Sequence, residues 1–61
     1  MENQYYKVLN NQDGVEGGVL FDENVPFAKR VEIRELVRQS EYSLVETTEE
    51  EYNKIKRKFE V

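Results

Sequence analysis

The sequence predicts a small single-domain α+β fold over residues 1–61, with elements in the order β-β-α-β-α. Three observations lead there: short aromatic and β-branched runs between turn signals, one stretch with a helical apolar period, and a threonine cap followed by acids and then bases. A three-stranded, mainly antiparallel sheet covered by helices, the second of them C-terminal, is the architecture that order implies.

Tyr5-Tyr6-Lys7-Val8-Leu9 is rich in strand formers, and Asn10-Asn11-Gln12-Asp13-Gly14 behind it contains an Asp-Gly turn signal. Beyond Val15-Glu16 and Gly17-Gly18, the apolar run Val19-Leu20-Phe21 is too short for a helix and suits the second strand of a hairpin. The glycine pair fits a bulge, a second turn or a close approach of another backbone, and nothing local selects among them. Together with Gly14 it matches neither G-x-x-x-x-G-K-[ST] nor G-x-G-x-x-G, so a phosphate-cradling loop is poorly supported.

Pro26 holds Val25 extended and suits the first turn of a helix. From about Phe27 to Gln39, Ile33, Leu36, Val37 and Ser40 fall at i, i+3, i+4 and i+7 among good helix formers, which predicts a helix. Val31, Ile33 and Val37 also fit a strand alternation broken by Glu35, so a strand is the alternative here. Glu41-Tyr42-Ser43-Leu44-Val45-Glu46 contains the third strand. Thr47-Thr48-Glu49-Glu50-Glu51 then offers two overlapping capping boxes, Thr47 with Glu50 and Thr48 with Glu51. Tyr52, Ile55 and Phe59 form one stripe of a helix from about Glu49 to Glu60, with Lys54, Lys56, Arg57 and Lys58 toward the negative end of its dipole.

Composition narrows the function. Nine Lys and Arg against 13 Asp and Glu give a net charge of −4, and there is no histidine and no cysteine. A thiolate nucleophile, an imidazole base, a disulfide and a Cys/His zinc site are therefore all excluded. A non-enzymatic protein without a cofactor is the expectation. Charged residues make up 36% of the chain, yet 38% hydrophobic and 11% aromatic residues in periodic segments argue for a fold rather than disorder. No signal-peptide pattern or long apolar run is present, so a cytoplasmic protein with no membrane partner is expected. A chain this short buries only about 60% of its unfolded surface and lacks covalent or zinc staples, which points to a homodimer.

The charge is unevenly placed. Through Ala28 a single base, Lys7, faces five acids, so the hairpin half carries the whole excess. Arg30, Arg34 and Arg38 are spaced by four and share one face whether the segment is helix or strand. Like charges at that spacing repel, so the row calls for an acid, a bound anion or a partner beside it. Tyr5 and Tyr6 must point to opposite faces of a strand, which leaves one as an interface candidate.

The functional expectation is an accessory, regulatory or inhibitor protein that binds a larger macromolecule, with a protein as the partner. Its candidate contacts are Tyr5, Asp22, Glu23, Arg30, Arg34 and Arg38. One alternative is anion or nucleotide sequestration through the arginine row. Another is nucleic-acid binding through that row and the C-terminal bases, which the overall acidity opposes. The bland reading of every charged feature is a solvated, ion-paired surface. Glu49-Glu50-Glu51 with Asp22-Glu23 lacks the spacing of a calcium loop and is better explained as a helix first turn.

Overall fold

The computed structural model of the chain describes residues 3–59. Four strands and two helices are present: β1 (Gln4–Leu9), β2 (Val15–Phe21), α1 (Phe27–Gln39), β3 (Ser43–Thr47), α2 (Glu49–Lys54) and β4 (Lys58–Phe59). The sheet order is β3-β1-β2-β4. Strand β1 runs antiparallel to both β2 and β3, and β4 runs parallel to β2, so the sheet is mixed.

The connections set which face each helix covers. Strands β2 and β3 are parallel with β1 between them, so β2-α1-β3 steps one way across the sheet and β3-α2-β4 steps back the other way. Right-handed crossovers in opposite directions put their helices on opposite faces. The contacts agree: Ile33 and Val37 of α1 pack on the core of Tyr6, Val8, Val19 and Phe21. On the other face, Tyr52 of α2 packs its ring on Tyr5, and Glu51 reaches Lys7.

Local chemistry fixes the turns. Asn10 closes the β1-β2 turn with its side-chain oxygen, which accepts from the backbone N–H groups of Gln12 (2.8 Å) and Gly14 (2.9 Å), while Asp13 takes the positive φ of 63°. Helix α1 ends in a Schellman arrangement: Tyr42 N–H donates to Val37 O and Glu41 N–H to Arg38 O, with Glu41 left-handed at φ 62°. Of the two capping boxes, the second forms the cap, with Thr48 Oγ accepting from Glu51 N–H at 3.1 Å.

The C-terminal helix departs from the sequence expectation. It ends at Lys54, and the chain turns into β4, so the sheet has four strands and is mixed rather than three-stranded and mainly antiparallel. Glu60, the expected end of that helix, lies outside the described residues. Two things favour the early exit. Lys58 donates its ammonium to the carbonyls of Tyr52 and Ile55, which closes the helix end. Gly17 in turn lacks the side chain that would block the returning strand, since a Cβ there would lie 2.2 Å from the Phe59 ring, while Gly18 makes room for α2, where a Cβ would lie 3.0 Å from Tyr52. Of the three uses open to the glycine pair the second turn is not taken: the pair allows a close approach, and the register shift from Val8↔Gly17 to Leu9↔Val15 puts an irregularity of the bulge kind at Glu16, directly before Gly17.

Candidate functional site

Helix α1 carries the chemistry that distinguishes this surface. Within Phe27–Gln39, Lys29, Arg30, Arg34 and Arg38 outnumber Glu32 and Glu35, so the helix is positive in a chain of net charge −4. None of its residues is fully buried. Its sheet-facing side is formed by Arg30, Ile33, Arg34 and Val37, and the three arginines have three different environments.

Arg30 is part of the fold. Its guanidinium donates to Asp22 O at 2.7 Å and Val25 O at 3.1 Å, reaches Gln4 Oε1 at 3.5 Å and lies 5.6 Å from the centre of the Phe21 ring. It pins the β2-α1 loop over the core edge. Arg34 lies 5.7 Å from both the Tyr6 and the Phe21 ring centres and donates to the Tyr6 hydroxyl at 3.2 Å. Arg38 is well exposed and pairs with Glu35 at 2.7 Å. That bond, followed by the guanidinium charge, holds the Glu35 carboxyl below the usual glutamate range and raises Arg38. The repulsion expected along the row is thus relieved by carbonyls and rings for Arg30, by aromatic faces for Arg34 and by an acid for Arg38.

The other candidate contacts do not join them. Tyr5 lies on the opposite face of the sheet, with ring centres 5.2 Å apart on Tyr52. Tyr6, its neighbour, is in the core. Asp22 accepts from Asn24 N–H at 2.9 Å and shapes the loop, and Glu23 stands exposed beside it. Near Tyr5, Lys7 and Glu51 pair at 2.8 Å, and the ammonium lowers the Glu51 carboxyl below its ordinary value. Among the C-terminal bases, Lys58 caps α2, Arg57 lies over the Phe59 ring and Lys54 is 3.6 Å from Glu50.

Three apolar side chains on α1 stand in solvent: Phe27 is 79% exposed, Leu36, which the apolar period groups with Ile33 and Val37, 56%, and Val31 49%. At 100° per residue, Phe27 and Val31 fall on the same flank as Arg34 and Arg38, and Leu36 falls on the other. The signal was present as the i, i+4 spacing of Phe27 and Val31, off the stripe of Ile33 and Val37. Leu36 borders an apolar groove of about 220 Å³ that also involves Val8, Val19, Val37, Tyr42 and Phe59, between α1 and β4. A more polar hollow of about 450 Å³ lies by Asp22, Asn24, Tyr52 and Lys58.

Among the described residues no group of three or more acids is placed to hold a metal ion, and no helix is long and apolar enough to cross a membrane. No family model matches the chain, and no curated protein and no solved structure matches it significantly.

Proposed function

We propose that this protein is a non-catalytic interaction module that assembles as a homodimer and docks on a larger protein through the outer flank of α1. One observation carries the reading: Phe27, 79% exposed, stands one turn from half-exposed Val31 and shares its flank with Arg34 and Arg38. An exposed aromatic anchor on a flank that also carries arginines has the composition of binding hot spots rather than of ordinary solvated surface. The flank's positive charge selects a partner with an acidic rim around an apolar pocket. Arg34, stacked on Tyr6 and Phe21, is held in place before any partner arrives, which limits the ordering cost of binding.

The test compares capture by the wild type with capture by Phe27→Ala and Arg38→Glu, with Glu23→Gln as a control off the flank. The reading predicts a partner that both α1 variants lose, that the control retains, and whose retention falls with salt. Equal capture by all four proteins would overturn it.

A further inference from the structure

A strand at the rim of a sheet leaves a row of backbone N–H and C=O groups without a partner, and proteins normally blunt such rims with short strands, lysines, prolines or bulges. The two rims here are treated differently. Strand β4 has two residues and sits in the basic run Lys56-Arg57-Lys58, so it is short and charged. Strand β3, Ser43-Leu44-Val45-Glu46-Thr47, has five residues, one charge, no proline and no lysine. It pairs with β1 without a register shift, and among the described residues no other strand pairs with it. Val45 stands 37% exposed on it.

We propose that β3 is the seam of a homodimer, in which two copies pair antiparallel about a two-fold axis at Val45 and form one eight-stranded sheet. This rests on the self-association in the reading above and gives it a surface. A two-fold contact requires a strand complementary to itself, and the side-chain order of β3 meets that requirement in one register. Centred on Val45, the pairing sets Val45 against the partner's Val45, Leu44 against the partner's Glu46 and Ser43 against the partner's Thr47. No like charges oppose each other. Centred on Glu46, it would set that carboxylate against its own copy. Centred on Leu44, it would draw in Glu41, whose φ of 62° cannot continue a strand.

The seam uses the backbone edge of β3, whereas α1 contributes its stripe to the core of Tyr6, Val8, Val19 and Phe21, so the two surfaces draw on different residues. A five-residue pairing is at the small end of interface sizes, so the dimer is weak and concentration-dependent.

Sedimentation equilibrium of the full chain, from about 5 µM to about 1 mM, tests the proposal. The weight-average mass of the wild type is expected to climb from 7.3 kDa toward twice that value. Val45→Glu places its carboxylate beside Lys7 within the fold but against its own copy at the seam, and is expected to weaken the dimer at least ten-fold with an unchanged circular dichroism spectrum. Mixing Val45→Glu with Val45→Lys should restore dimers of one chain of each kind. A wild type that stays monomeric throughout, or a folded Val45→Glu that dimerises like the wild type, overturns the proposal. Should Val45→Glu fail to fold, hydrogen exchange on the wild type decides: amides within Ser43–Thr47 gain protection with concentration if β3 is the seam, and the absence of that gain refutes it. Phe27→Ala separates the two readings, because it should abolish partner capture and leave the mass curve unchanged. Loss of dimers in Phe27→Ala would move the seam to α1 and refute the β3 assignment.

Discussion

Gly17→Ala tests the placement of β4 through the sign of a stability change. An alanine at an open, compatible strand position raises stability by about 0.4–1 kcal/mol, because it restricts the unfolded chain. Gly17 is not open: the new methyl would lie 2.2 and 2.7 Å from two Phe59 ring carbons and 3.0 Å from Arg57 O. The ring has to leave. Phe59 is 36% exposed, so about two thirds of a full phenylalanine burial is at stake, or about 1–2 kcal/mol. If the strand leaves with the ring, the bond from Gly18 N–H to Arg57 O (2.9 Å) goes too, a further loss of about 1 kcal/mol. Set against the gain from alanine, the net expectation is a loss of up to about 2.5 kcal/mol. Urea unfolding of the wild type, Gly17→Ala, Phe59→Ala and the double variant completes a cycle. In the Phe59→Ala background, Gly17→Ala should turn neutral or stabilising, because the obstructing ring is gone. A Gly17→Ala that stabilises the wild type, or that costs the same with and without Phe59, would refute the packing of β4 over the glycine pair.

Three further outcomes follow from particular residues. Arg30→Lys should cost about 1–2 kcal/mol in urea unfolding, since one ammonium cannot reproduce the fork that spans Asp22 O and Val25 O, and a neutral result would refute the pinning role. Glu41→Gly should raise stability by about 0.5–1 kcal/mol, seen as a higher melting temperature, because glycine adopts the φ of 62° without strain. The Glu51 carboxyl is lowered by Lys7, so its stabilising contribution is present at neutral pH and is lost as the pH falls through its depressed folded-state value. A carboxyl titration followed by NMR should therefore show a midpoint below the ordinary glutamate value, moving up toward it in Lys7→Met.

Core size explains why so much rests on such details. Among the described residues four hydrophobic side chains, Tyr6, Val8, Val19 and Phe21, are buried, and the partly buried Val25, Ile33, Val37, Tyr42 and Leu44 complete the packing. The arginines over Tyr6 and Phe21 extend that core with their planar faces, a use of charge that a hydrophobicity count does not register.

What the sequence determined by itself was local. The 3.6-residue apolar period and Pro26 set α1 at Phe27–Gln39, the Thr48 box set the start of α2, and strand alternation sent Tyr5 and Tyr6 to opposite faces. Each of these depends on residues within a few positions of one another, and the backbone rules act over that range. Only the tertiary structure decided the rest. The run from Ile55 to Phe59 reads as the end of a helix, yet it turns into a fourth strand beside β2, where Gly17, some forty residues away, leaves room for the Phe59 ring. The arginine row read as one charged face, but the positions of Asp22 O, Val25 O, Tyr6 and Glu35 give each arginine separate work. Leu36 shares the apolar period of Ile33 and Val37 yet stands exposed, as do Phe27 and Val31, because Ile33 and Val37 fill the sheet-facing stripe of a helix that can present only one side to the sheet.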